Sequence, residues 1–123
     1  MVKYIVIIIS TFLSALAQYF LKVGVLQFNI VLNQKKTNFF VILKSVFSNF
    51  YIIGGFLVYV LGAVLWLYVL LKFELSKAYP FASLGYIFTL IIGYFFLNEA
   101  INFTKVIAIF LIVVGVIVMS YAR

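Results

Sequence analysis

The chain has no cysteine and no histidine, one proline, and only two acidic residues among its 123. Without thiols or imidazoles, disulfides, thiol redox chemistry, imidazole catalysis and the common zinc sites are all excluded. The two acids, Glu74 and Glu99, fall near the ends of apolar runs, so the sequence places no carboxylate in the middle of one. That argues against proton coupling through a buried acid. With no metal-ligand cluster and no nucleophile beside a partner base, the reading is a conduit and not an enzyme, with no cofactor and no metal. Charged residues of both signs make up only 9% of the chain, against 68% hydrophobic residues and a mean hydropathy of +1.34. No aqueous domain can be cut from such a sequence, so residues 1–123 are read as one transmembrane domain.

What is present is four long apolar stretches: Tyr4 to Val25, Phe50 to Leu71, Ala78 to Leu97 and Val106 to Tyr121. A helix rises about 1.5 Å per residue and the hydrocarbon core is about 30 Å thick, so roughly 20 apolar residues make one crossing. The start of the chain also imitates a secretory signal, with Lys3, an apolar run from Tyr4 to Leu13, and Ala15-Leu16-Ala17. The apolar run continues through Tyr19, Phe20, Leu21, Val23 and Val25, which suits an uncut span better.

In a soluble protein the net charge of +7 would suggest nucleic acid. Here Lys3, Lys35, Lys36, Lys44, Lys72, Lys77, Lys105 and Arg123 fall at or between span ends and read as contacts to anionic membrane lipid, with no nucleic-acid partner. Lys3, Lys72, Lys77 and Arg123 lie on the face holding both termini, and Lys22, Lys35, Lys36, Lys44 and Lys105 on the other. This near balance leaves two readings open: an orientation that charge does not fix, or copies inserted both ways and paired head to tail.

Between the first two spans, Asn33 to Asn38 is a polar turn. Phe39, Phe40, Leu43, Val46, Phe47 and Phe50 then recur at helical spacing, which predicts a short interfacial helix. The connections Phe73 to Lys77 and Asn98 to Lys105 allow only tight turns. The fold expected is therefore all-α, an up-down bundle of four transmembrane helices.

Small residues mark where such helices can approach closely. Ala78, Ala82, Gly85, Thr89 and Gly93 form a stripe along the third span; Gly55 pairs with Gly62 in the second, and Ala108 with Gly115 in the fourth. These are candidate packing or dimer contacts, within one subunit or between two. Four single-crossing helices fill their own centre, so a sizeable ligand calls for a second subunit.

Polar residues inside spans are costly in lipid and so carry the functional reading. In the first span Thr11, Gln18 and Lys22 fall within about 40° at 100° per residue, with Ser14 beside them. One reading is interhelical hydrogen bonding with Lys22 snorkelling to the surface; the other is a lining for a polar headgroup with Lys22 facing an anion. In the third span Tyr79, Ser83, Tyr86 and Tyr94 make a second such edge, alternatively explained as packed or interfacial aromatics. Pro80 either bends its helix toward a cleft or simply starts it.

Ser14-Ala15-Leu16-Ala17-Gln18 with Lys22, Val64 to Leu70 (VLWLYVL), Ala78-Tyr79-Pro80-Phe81-Ala82-Ser83-Leu84, Asn98-Glu99 and Gly115-Val116 together resemble the small subunits of the 4-amino-4-deoxy-L-arabinose-phosphoundecaprenol flippase. That family lies in the small multidrug resistance-like branch of the drug/metabolite transporter superfamily. The likeness is colinear over nearly the whole chain. It implies a four-helix bundle of small multidrug resistance type in the bacterial inner membrane, moving a polyprenyl-phosphate-linked sugar between leaflets. It also implies an antiparallel homodimer or a heterodimer with a sister subunit. Two departures stand out: Ser14 occupies the place of the wider family's first-helix glutamate, and Gly85 stands where the flippase subunits tend to have a polar residue.

A prenyl tail can stay in lipid while only the phosphate-sugar head crosses, so a sideways-open polar groove suffices. On this reading Ser14, Gln18, Tyr79, Ser83 and Tyr86 contact the head. Lys22 faces the phosphate, which Lys35, Lys36 and Lys44 attract. Glu99 either pairs with a nearby lysine or meets an amino group on the sugar. The alternatives are a small multidrug-type exporter of cationic compounds, or a non-transporting accessory subunit of a membrane glycolipid enzyme.

Overall fold

The computed structural model describes residues 1–33 and 38–122, apart from the side chains of residues 30–32. The described residues form six helices and no strand: α1 (Val2–Leu32), α2 (Phe39–Ser48), α3 (Phe50–Lys72), α4 (Leu75–Ala82), α5 (Leu84–Leu97) and α6 (Phe103–Tyr121). Four crossings result, because α4 and α5 together make the third span, Leu75–Leu97. The fold is the expected all-α bundle of four transmembrane helices with a short apolar helix between the first two.

The boundaries differ in instructive ways. The first helix runs to Leu32, well past the expected Val25, and at 31 residues it is about 46 Å long. Nothing between Val25 and Leu32 stops a helix, so it continues out of the hydrocarbon until the turn at Asn33. The third span begins at Leu75, a turn before the expected Ala78, and is broken in two. Pro80 cannot donate to the ladder, and the Ser83 hydroxyl donates back to the Pro80 carbonyl. Such back-bonding bends helices, and the regular ladder gives way at Ser83 before α5 resumes. Asparagines start two of the spans. The Asn49 side chain accepts from the Tyr51 and Ile52 amides at 3.0 and 3.2 Å, and that of Asn102 accepts from Lys105 at 2.9 Å.

Helix α1 is the centre of the molecule. It packs most extensively along α3, then along α5. Glycines set the first of these distances: a methyl group on Gly55 would come 3.1 Å from the Ala17 carbonyl, and one on Gly62 would come 3.4 Å from that of Ser10. Across the same contact the buried Ser10 hydroxyl donates to the Gly62 carbonyl at 2.9 Å. Ile7, Val69 and Ala78 form the buried core, with Trp66, Phe73 and Phe81 packed against it. By contrast α6 lies outside, along α4 and α5, with Val116 its buried residue. On α2, Phe39, Phe40 and Phe47 are exposed while Val41, Ile42 and Val46 turn inward. An exposed apolar face beside the Lys44 side of a short helix is what a membrane interface requires.

Candidate functional site

The polar strip of α1 is divided between two clefts. Its upper half floors a cleft of about 260 Å³ with Ser10, Thr11 and Ser14. Tyr59, Ala63 and Trp66 of α3 form one wall; Tyr79 and Ala82 of α4, with Gly85 of α5, form the other. The floor hydroxyls already donate to backbone: Thr11 to the carbonyls of Ile7 (2.9 Å) and Ile8 (3.0 Å), and Ser14 to that of Ser10 (3.0 Å). Each oxygen keeps a lone pair, so the floor offers acceptors to a ligand rich in hydroxyl donors. The aromatic walls offer flat apolar faces and, at Tyr59 and Tyr79, hydroxyls.

The lower half of the strip opens into a second cleft of about 220 Å³, where Gln18, Tyr19 and Lys22 face Thr89, Gly93 and Glu99. Between the two clefts α5 lies directly on α1. Ala15 is only 2% exposed, a methyl group on Gly85 would reach the Thr11 carbonyl at 3.9 Å, and Phe12 meets Phe88 edge-on at 5.4 Å. Of the small-residue stripe of the third span, Gly85 makes this contact, Ala78 is fully buried in the Ile7 and Val69 core, and Gly93 is buried under Glu99.

Glu99 is exposed, but it reaches back along α5 from its position at the span end. Asn98 takes a left-handed conformation at φ 53°, which lets the Glu99 amide bond back to the Gly93 carbonyl at 3.0 Å. The carboxylate then folds over Gly93, where an added methyl would meet Oε2 at 2.8 Å. Glu99 and Thr89 also border a third cleft of about 300 Å³, between α5 and α6, that Tyr86, Ala108 and Lys105 share. Glu99 thus stands between Lys22 on one side and Lys105 on the other. The Lys105 ammonium donates to the Ala100 carbonyl at 2.8 Å.

The predicted site residues are therefore not gathered in one place. Ser14 and Tyr79 share the upper cleft, Gln18, Lys22 and Glu99 the lower, and Tyr86 joins Glu99 in the third. Ser83 lines none of these three clefts, its hydroxyl turned to Pro80. Lys44 is exposed on α2, and Lys35 and Lys36 lie outside the described residues. Of the candidate contact residues, Gly55 and Gly62 pack on α1, whereas Gly115 has open space where a side chain would be. Sequence reading passed over Ser10 and Tyr59, took Trp66 only as part of a motif, and took Thr89 only as one member of the small-residue stripe. Ser10 carried a signal, lying one turn before Ser14 on the same face.

Four apolar crossings with clefts between them lined by hydroxyls and aromatic rings fit a multi-pass membrane transporter. The chain belongs to the EamA-like transporter family, whose profile matches residues 1–121. Among curated relatives, it is 30% identical over 120 residues to a probable 4-amino-4-deoxy-L-arabinose-phosphoundecaprenol flippase subunit, ArnF, of Proteus mirabilis, covering 95% of this chain and 90% of that one. It is also 35% identical over 60 residues to a probable ArnE subunit of the same flippase from Pseudomonas fluorescens, covering 49% of this chain and 53% of that protein. A probable ArnE subunit of Hamiltonella defensa is 34% identical over 59 residues, covering 48% and 53%. No solved structure matches the chain.

Proposed function

We propose that this protein flips a polyprenyl-phosphate-linked sugar, of the aminoarabinose type, between leaflets of the bacterial inner membrane. The observation that carries the proposal is the divided polar strip of α1, with acceptor oxygens and aromatic walls in one cleft and a lysine and a carboxylate in the next. A sugar head finds hydrogen-bond partners and flat faces in the first, and its phosphate finds Lys22 in the second. Glu99, beside Lys22, suits the amino group of an amino sugar. The prenyl chain remains in lipid throughout, because its apolar carbons gain nothing from leaving it and only the polar head needs the clefts. The names of the relatives support the same substrate class.

A single subunit is too small for the task. The three clefts, of about 260, 220 and 300 Å³, lie at or below the lower end of the roughly 300–1,000 Å³ that pockets for small organic ligands occupy. We therefore assign the working unit to a pair, antiparallel, whose second member is a copy of this chain or a sister subunit. The exposed face of α6 bearing Ala108 and Gly115 is the surface we assign to that contact. Passage from one cleft to the other requires α5 to shift on α1, and the break at Ser83 supplies the joint.

The test is transport of a prenyl-phosphate amino sugar in liposomes containing this protein with its partner. The double variant Lys22→Leu, Gln18→Met should lose at least about tenfold in rate, the cost of one unpaired charged contact in a water-poor site. Full activity in that variant removes the assigned site. Export of a quaternary ammonium dye with no flipping of the lipid would replace the proposal with a multidrug exporter.

A further inference from the structure

On the face that holds both termini, at the opposite end of the bundle from Lys22 and Lys105, four elements meet around a fourth kind of cleft. The start of α1 brings Lys3, the end of α3 brings Lys72, α4 brings Lys77, and the last turn of α6 brings Ser120. The cleft measures about 220 Å³. Three lysines against one acid, Glu74, leave it with a charge of 3 − 1 = +2. The clefts of the proposed transport path use none of these residues.

The floor of this cleft is built and not incidental. Tyr4, Phe73 and Phe81 form a closed aromatic triangle with ring centroids 5.4, 6.1 and 6.1 Å apart. Phe73 and Phe81 in turn pack on the Ile7, Val69 and Ala78 core. The Lys3 ammonium is held over two of these rings, 5.4 Å from Tyr4 and 5.1 Å from Phe73. A cation fixed over aromatic faces has already lost much of its side-chain freedom, so an anion that reaches it meets less ordering cost.

We propose that this cleft is a binding site for the phosphate group of an anionic lipid. Three lysines line the cleft at the end of the spans, where headgroups lie and one negative charge gains most from them; the Lys72 ammonium also sits 5.8 Å over the Tyr68 ring. The aromatic floor beneath them is suited to the first carbons of the lipid's tails, and Tyr4 adds a hydroxyl at the rim, while that of Ser120 donates to the Ile117 carbonyl. A free phosphate would use the ammonium groups and leave the apolar floor uncovered. The inference stands apart from the flippase reading, since it concerns residues on the opposite face and is read by binding alone.

The experiment is native mass spectrometry of the full chain in neutral detergent, titrated with phosphatidylglycerol, phosphatidylcholine or inorganic phosphate. Phosphatidylglycerol should be retained in preference to phosphatidylcholine. Each lysine near a headgroup is worth about fivefold, so Lys72→Gln should weaken retention by about that factor and the triple variant Lys3→Gln, Lys72→Gln, Lys77→Gln by about a hundredfold. Glu74→Gln should bind more tightly, an arm that survives if the triple variant does not fold. Competition by millimolar inorganic phosphate would support a site for the phosphate group alone, and its failure to compete would support one that also reads the tail. Equal retention by wild type, Lys72→Gln and Glu74→Gln overturns the proposal.

Discussion

Gly93 and Gly24 would answer the same substitution differently, because different atoms stand over them. A methyl group on Gly24 meets Ile52 Cγ1 at 2.5 Å and the Ile52 amide nitrogen at 3.2 Å, so α1 and α3 must separate. Gly24→Ala should therefore lower stability by about 1–3 kcal/mol, the usual cost of overpacking, read as a lower melting temperature in detergent. On Gly93 the obstacle is the end of the flexible Glu99 side chain. Gly93→Ala should leave the melting temperature nearly unchanged while moving the carboxylate out of the cleft it shares with Lys22, so transport falls without loss of fold. Equal melting losses in the two variants would show that Glu99 is held rigidly over Gly93. Neither contact is legible in the sequence. Gly24 was not singled out there, and Gly93 was one member of a stripe, because nothing local says that a residue six positions later will fold back over it.

At the scale of the element, the third span shows where pattern and structure part. The sequence predicts one crossing from Ala78, and hydropathy alone does not register a break in it. Two local features together make the break: a proline without an amide hydrogen and, three residues on, a serine that bonds to the proline's carbonyl. Each was visible, but their cooperation depends on the turn they adopt. The double variant Pro80→Ala, Ser83→Ala should restore a continuous ladder, raise thermal stability by about 1–3 kcal/mol, and slow flipping. Faster flipping in the straightened helix would remove the joint from the mechanism. The remaining spans followed their hydropathy closely. The long tail of α1 to Leu32 was missed because polar residues such as Gln27 and Asn29 end an apolar run without ending a helix.

For the whole molecule the uneven burial of its helices matters most. Helix α1 packs against α3, α4 and α5 while keeping an outer face with Ile5, Ile8, Ile9 and Phe12 exposed, and α6 leaves nearly all of its surface outward, with open space at Gly115. In lipid such a face is stable without a partner, so exposure alone says little; the small cleft volumes are what call for a second subunit. Gly115→Leu should then leave the melting temperature of the chain unchanged and weaken pairing, measured by energy transfer between labelled subunits in liposomes, by about tenfold for roughly 1.4 kcal/mol of lost packing. Undiminished pairing would move the interface to another helix.

Length and hydropathy by themselves determined that this chain crosses the membrane four times. They also determined that both termini share a face and that a short interfacial helix precedes the second span, because lipid admits so few backbone solutions. Colinear short motifs reached the transporter family. Only the tertiary structure decided that the polar strip of α1 is cut in two by α5, that Ser83 serves its own helix, and that Glu99 turns back over Gly93. It alone decided that Lys3, Lys72 and Lys77 line one cleft. Those outcomes depend on which helix lies against which and at what distance, and side chains far apart in sequence set that distance only once they are packed.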